Sequence, residues 1–346
     1  MPANQPAVEN LITLLRTHPE LKTALTQAIK EANEDGIENV QQFYDLLNGL
    51  LTHIPTDKQL DADTVKFWVV LNKAPNDIIK KSDVFNNWIR EFILSMGAYM
   101  DSTDSAKEIE SFIEDSKNNI DDFFRGPSGW LTYNQFLARE VKPGKRPIAD
   151  RCNDEIIVAP TDSIYLGNWK ITDDATITAK GDTYNINDLL AGSSYAKKFK
   201  GGIFSHCYLS VNDYHRYHTP VGGKVVETKI IPGTTWTNEL KKITGATTID
   251  DVGFQFNQTR GYIILKTQSL GFVAVAPIGM GFVSSVTITA DEGTKLAKGD
   301  VFGYFGYGGS DIIMLFEKDA MRFTAFANKH YLQGEKIAKA ISKKER

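Results

Sequence analysis

Along the first third of the chain, apolar residues return every three or four positions. Leu11, Leu14 and Leu15, then Leu21, Leu25 and Ile29, mark one stripe; Phe43, Leu46, Leu47, Leu50 and Leu51 mark another, and Trp88, Phe92 and Met96 keep the period. That spacing gathers apolar side chains on one side of an α-helix, so residues 1–125 are expected to form an all-helical domain. Ser105-Ala-Lys-Glu108, ahead of Ile109 and Phe112, has the spacing of a capping box and predicts a helix start at that point. Past the loop GPSGW (126–130) the texture changes. From Asp154 onward IIVAP, SIYLG, GGIFSHCYLSV, GGKVVETKII, RGYIILKT, FVAVAPI, SSVTITA and DVFGYFGY each have strand length and turn-like borders. The expected organisation is α+β: a helical domain over 1–125, a linker over 126–150 and a β-rich domain over 151–346. There is no fixed-period repeat, which removes solenoid folds from consideration.

Composition narrows the function classes. The formal net charge is -4 and the basic residues are scattered, so no stripe marks a nucleic-acid partner. Cys152 and Cys207 form no CxxC and no regular spacing, which fits a reducing compartment, and the N-terminus lacks the basic and apolar blocks of a signal peptide. A cytoplasmic location is the expectation. FVAVAPIGMGFV (272–283) is too short to span a bilayer and is broken by proline and glycine, so no integral membrane association is expected.

Candidate chemistry concentrates in two places. Three of the six histidines, His206, His215 and His218, fall within HCYLSVNDYHRYHTP. A zinc site would join them with Cys207, but H-x2-H is shorter than a helical ligand pair, and same-face strand neighbours stand two apart. The plainer reading is a set of histidines satisfied by hydrogen bonds. The second place is GYFGYGGSDIIMLFE (303–317), where side chains vanish at Gly308 and Gly309 just before Ser310. With Asp162 in VAPTDSIYLG, the chain offers Asp, His and Ser at strand ends, the residue types of a nucleophile, its base and an orienting carboxylate. Ser310 lacks the G-x-S-x-G elbow, because Ile312 stands where the last glycine belongs, and no Lys-Ser/Thr pair follows to make a phosphate loop.

Taken together, YNQFLAREVKPGKRPI (133–148), VAPTDSIYLG (158–167), ITAKGDTYNINDLLAG (177–192), DYHRYHTPVGG (213–223), APIGMGFVSSV (276–286) and KGDVFGYFGYGGS (298–310) resemble the phosphatidylserine decarboxylase family of pyruvoyl-dependent enzymes. The resemblance runs from about Trp130 to the C-terminus. It implies self-cleavage between Gly309 and Ser310, with Gly308 and Gly309 supplying the permissive backbone that a strained, attacked peptide needs. Ser310 is then the precursor of a pyruvoyl cofactor, and large and small chains arise from one zymogen. The resemblance also implies that His218 is the base and Asp162 its partner in the cleavage, while His215 serves the decarboxylation step. The pyruvoyl ketone of such enzymes condenses with a substrate amine as a Schiff base and takes the electron pair freed with carbon dioxide, so neither pyridoxal phosphate nor a metal is expected.

Several positions depart from the family pattern. Ser163 and Gly222 replace the usual glycine and aspartate, Asn257-Gln258-Thr259-Arg260 stands in the Asn-Glu-Arg-like stretch, and Asp311 follows the serine where Ser or Thr is common. The helical part, through VFNNWIREFILSMGAYMDS (84–102), is similar to the extra domain of a soluble branch that includes tryptophan decarboxylases. Without a membrane-anchoring segment, the expected substrate is a free amino acid, an aromatic one being the branch's example, and phosphatidylserine is the alternative. A non-processing binding relative is the third reading, and a homodimer is expected from the family alone.

Overall fold

The computed structural model describes residues 3–54, 57–179, 182–233, 254–279, 286–307 and 310–342. They group into two compact units, each treated by itself below. One takes in Met1–Asn118 and Arg125–Phe136; the other takes in Asn119–Phe124, Leu137–Gly233 and the described residues from 254 onward.

The first unit is helical, as the three-to-four spacing predicts. Its main helices are α1 (Pro6–Thr17), α2 (Pro19–Ala32), α3 (Val40–Thr52), α4 (Asp57–Asn72) and α5 (Asp83–Met100). Pro19 closes the leucine stripe into two helices rather than one, since a proline is tolerated in a first turn but not in a helix interior. Asn39 caps α3 by accepting the Gln42 N–H at 3.1 Å, and Ser82 caps α5 by accepting that of Phe85 at 3.3 Å. The core is an aromatic chain. Phe67 stacks on Phe43 and Phe92 with centroids 6.1 and 5.5 Å apart, and Trp88 adjoins Phe92 while its indole N–H donates to the Ala7 carbonyl at 2.8 Å.

The capping box expected at Ser105 is absent. Ser105 lies inside a 3-10 turn (Thr103–Glu108), where its hydroxyl donates to the Ser102 carbonyl and accepts the Tyr133 N–H. The Glu108 carboxylate instead accepts the Ile54 N–H and meets His53 at 2.6 Å. A longer-range partner won over the local one for each side chain.

The second unit is built on strands. In chain order they are β1 (Ile156–Val158), β2 (Ser163–Lys170), β3 (Thr176–Ala179), β4 (Asp182–Asn185), β5 (Ile203–Leu209), β6 (Arg216–His218), β7 (Gly223–Ile231) and β8 (Arg260–Lys266). There follow β9 (Phe272–Gly279), β10 (Val286–Ile288), β11 (Lys295–Leu296), β12 (Val301–Phe305), β13 (Ser310–Phe316), β14 (Met321–Phe323), β15 (Lys329–Tyr331) and β16 (Lys336–Ala340). The largest sheet has the order β11-β7-β8-β9-β13-β5-β2-β15, while β1-β16-β14 and β10-β12-β6 form smaller ones.

Two apolar clusters cover the two faces of the large sheet. Alternation along β13 sends Ile312, Met314 and Phe316 into one cluster and Ile313 and Leu315 into the other. Every residue of β13 is buried, and the strand pairs along its whole length with β5 and β9. Gly303 lets β12 fit between β10 and β6, because a Cβ there would stand 2.0 Å from the Thr287 carbonyl oxygen and 2.3 Å from the Tyr217 ring.

Phe92 sits at 0% exposure between two ring neighbours. Phe92→Ala is expected to destabilise the helical unit by about 3–5 kcal/mol, whereas Leu94→Ala on the exposed side of α5 should stay within about 0.5 kcal/mol; urea unfolding followed by circular dichroism distinguishes the two.

Candidate active site

The short strand β6 carries His218 and follows directly on His215, and it pairs with β12, Val301 standing opposite His218. The Phe305 N–H at the end of β12 donates to the His215 carbonyl at 3.0 Å. Five residues later the chain reaches Ser310, so the same strand that fixes the histidines delivers the serine. Ser310 is buried between Leu209 of β5 and Gly279 of β9. Gly309, the predicted cleavage partner of Ser310, and Gly308, which with it was expected to supply the permissive backbone, lie outside the described residues.

His218 is held on three sides. Its N–H donates to the Pro160 carbonyl at 2.8 Å, its Nδ1 lies 2.7 Å from the Gly299 carbonyl and its Nε2 lies 3.0 Å from the Tyr214 hydroxyl. A carbonyl only accepts, so Nδ1 carries the proton and Nε2 keeps its lone pair, into which Tyr214 donates. Gly299 reaches this position with a φ of +87°, and a Cβ there would meet Ile148 at 2.6 Å. Burial drives the imidazole pKa from 6.5 down to about 4, against the opposing pull of the Gly299 bond and the Asp162 charge. His218 is therefore a neutral base at neutral pH.

Asp162 is nearby but turned to other partners. Arg146 grips it through Nε at 2.8 Å and a terminal nitrogen at 2.6 Å, and the Gln333 N–H adds a bond at 2.8 Å. Arg146 also binds Asp122 at 2.7 Å, and Lys145 meets Asp122 at 2.9 Å. Burial opposes charge in this group, yet the bonds from Arg146 and Lys145 hold the Asp122 carboxyl below its usual range, and Asp162 and Asp122 push the Arg146 guanidinium up. The expected Asp162–His218 hydrogen bond is thus not made: both ring nitrogens of His218 are taken by Gly299 and Tyr214. Asp162 acts on His218 by its charge across the gap.

His215 is fully buried, with Nδ1 2.8 Å from the Asp213 carbonyl, which again puts the proton on Nδ1. Arg139 donates to the Asn212 carbonyl at 2.9 Å, and the Asp213 carboxylate meets His330 Nε2 at 2.7 Å, tying the histidine loop to a segment beyond Ser310. That bond leads the causes that raise the His330 pKa. His206 does not join the other two. Its side chain pairs with Asp311, so the zinc reading loses a ligand, and among the described residues no three His, Cys, Asp or Glu side chains gather as a metal would require.

Sequence reasoning missed Arg146 and Tyr214. Both stand inside quoted motifs, KPGKRPI and DYHRYH, and the available signal was an arginine and a tyrosine close in sequence to the chemistry-bearing groups.

The family model described as phosphatidylserine decarboxylase matches residues 133–339, more than half of the chain. The chain belongs to the phosphatidylserine decarboxylase family. It is 33% identical over 235 residues to phosphatidylserine decarboxylase proenzyme 3 of Schizosaccharomyces pombe, covering 68% of this chain and 24% of that protein. Against phosphatidylserine decarboxylase proenzyme 2 of Oryza sativa subsp. japonica it is 34% identical over 232 residues, covering 66% of this chain and 36% of the relative. The chain therefore spans only about a quarter to a third of the length of these two relatives. The phosphatidylserine decarboxylase proenzyme of Fusobacterium nucleatum subsp. nucleatum is closer in size: 30% identical over 270 residues, with 77% of this chain and 85% of the relative covered.

The His218 environment sets a sign for pH dependence. A histidine whose folded pKa lies below its unfolded value binds fewer protons when folded, so its stabilising share is present above pH 6.5 and is lost as pH falls through about 4. His218→Gln is expected to flatten the fall in melting temperature between those two pH values, by an amount worth about 3 kcal/mol at most; thermal unfolding across that window reads it.

Proposed function

We propose that the protein is a self-processing, pyruvoyl-dependent carboxy-lyase of the phosphatidylserine decarboxylase type. The observation that carries this is the position of Ser310, buried at the head of β13, one short connection beyond the strand that pairs with the His215–His218 segment. Family membership and the proenzyme names of the relatives support it.

In the processing step the Ser310 hydroxyl attacks the carbonyl of residue 309, and the amide becomes an ester. His218 takes the serine proton at Nε2 as Tyr214 yields that lone pair, and its depressed pKa keeps it in the accepting form across the neutral range. Asp162, neutralised by Arg146, lends partial charge stabilisation to the imidazolium. Elimination from the ester frees residue 309 as a carboxylate, and hydrolysis leaves a ketone at residue 310 with release of ammonia. The residues present fit such a group: Ser310 is buried and begins a strand bonded on both sides, and His218, kept neutral by burial, stands in the adjoining segment. The pyruvoyl group supplies a carbonyl that joins the substrate amine and accepts the electron pair freed with carbon dioxide. His215, once it has taken up a second proton at Nε2, would pass that proton to the carbon that lost carbon dioxide.

The relatives favour phosphatidylserine over the free amino acid that the missing anchor suggested. A surface feature points the same way, although among the described residues no helix is long and apolar enough to cross a membrane. Phe326 is 74% exposed and Leu332 37% exposed, and the same stretch of sequence carries the exposed cations Arg322, Lys329, Lys336 and Lys339. Arg322 and Lys339 stand directly opposite each other across β14 and β16, a like-charge pair that costs stability unless an anion relieves it. Among the described residues none of these four makes an ion pair, and Glu335 is the sole acid between positions 320 and 341. An exposed aromatic side chain in a stretch rich in exposed cations suits an anionic lipid surface. The Gln333 N–H on Asp162 sets this face beside the site.

Intact-mass spectrometry under denaturing conditions is expected to show two fragments, the smaller starting at position 310 with a blocked terminus, and Ser310→Ala a single chain. A wild-type chain that stays whole after prolonged incubation sinks the reading. The processed protein should release carbon dioxide from phosphatidylserine and not from free L-tryptophan; the reverse pattern restores the amino-acid alternative. Phe326→Asp combined with Lys329→Glu should lower sedimentation with phosphatidylserine vesicles about tenfold while sparing turnover of a short-chain, water-soluble phosphatidylserine.

A further inference from the structure

The residue that departs most from the family pattern at the cleavage point, Asp311, is not a bystander. It is 0% exposed, and its Oδ2 lies 2.8 Å from His206 Nε2 and 3.0 Å from the Gln255 side-chain nitrogen, both partners being equally buried. Asp311 faces Tyr208 on β5 and Ile278 on β9, and His206 is two residues further along β5 on the same side of the sheet. Its charge reaches through the sheet to Cys207, where burial raises the thiol pKa and Asp311 adds to the rise. Yet the second oxygen of Asp311, Oδ1, and Nδ1 of His206 have no hydrogen-bond partner among the described residues. A buried carboxylate with one oxygen satisfied by two donors and the other left as an acceptor is costly, and a cationic donor is the group that would complete it.

Asp311 is covalently next to the residue that becomes the ketone. A ketone carbon is planar, so an amine can approach it from the Asp311 side of the sheet as well as from the side Ser310 faced. Both candidate substrates, a phosphatidylserine headgroup and a free amino acid, present the same α-ammonium group. That group must lose a proton before its nitrogen can attack a carbonyl.

Resting on the reading of the site given above, we propose that Asp311 is a catalytic residue that receives the substrate α-ammonium group and deprotonates it, held in place by His206 and Gln255. One N–H bond of the ammonium breaks and an O–H bond forms at Oδ1. The nitrogen keeps the electron pair and forms the C–N bond at residue 310. The carbonyl oxygen leaves as water, carrying the proton from Asp311 and a second from the nitrogen. Among the described residues, His206 and Tyr208 of β5 and Gln255 of the turn at Phe254–Phe256 face Asp311, with Cys207 across the sheet and Ile278 opposite it on β9.

The test uses processed wild type, Asp311→Asn and Asp311→Ser, the last restoring a residue type the family pattern favours. Phenylhydrazine, a nucleophile already neutral at pH 7, counts the ketone in each protein without needing a base. Reductive trapping of ethanolamine or tryptamine with cyanoborohydride, read as an added mass on the small fragment, then reports amine capture apart from turnover. Both variants should bind phenylhydrazine like wild type, trap the amine about tenfold more slowly at pH 7, and recover above the amine's own pKa. Preference for ethanolamine or tryptamine in wild type separates the lipid from the amino-acid source. Trapping by either variant at the wild-type rate at pH 7 overturns the proposal, and so does failure of both variants to cleave, which would assign Asp311 to processing. A wild-type protein without a ketone instead refutes the decarboxylase reading itself.

Discussion

The site depends on one constraint: the strand β13 is buried from its first residue. A serine at the head of such a strand, bonded in register to neighbours on both sides, cannot drift, so whatever acts on it must be brought to it. The fold does this with the β12–β6 pair, which leads the chain into Ser310, carries His218 on the partner strand and holds His215 just ahead of it. Backbone bonds from His218 to Pro160, and from Val158 to Pro220, then bring in the loop that holds Asp162. Positioning here is the work of ladder hydrogen bonds rather than of side-chain contacts between the reactive groups.

Much of this was legible in the sequence. The helical periodicity between Leu11 and Met96 and the strand-length runs from Ile156 onward correspond to elements of the α+β fold, and the motifs placed the chain in its family. What the sequence did not show were partners chosen in space. Ser105 and Glu108 had the right spacing for a cap and found distant partners instead. Asp162 and His218 were paired by family logic, but Arg146 and Tyr214, unremarkable in a linear reading, occupy their hydrogen-bonding atoms. His206 looked like a third member of a histidine group and belongs to Asp311, because strand pairing, not sequence proximity, decides which side chains share a face.

The electrostatics of the two histidines and the two aspartates divide the labour. His218 is kept neutral by burial and by a carbonyl at Nδ1, which makes it a base without a carboxylate in contact. Asp162 is neutralised by a guanidinium and so costs the interior less than a bare charge would. Asp311 has, among the described residues, a histidine and an amide as its hydrogen-bond partners and no guanidinium, so its carboxylate is the less compensated of the two.

The bond between His330 and Asp213 joins a residue after Ser310 to one before it, and β13 through β16 are woven into sheets with strands from the earlier part of the chain. A cut ahead of Ser310 would therefore leave one interlocked body, with the shorter piece supplying a central strand to the longer one. Such a body is assembled once. After unfolding, two separate chains would have to meet again, and the loop closures that a single precursor made within itself would become encounters between molecules. The mature protein would owe its persistence to slow unfolding rather than to a reversible balance, with the uncut precursor acting as its own folding template.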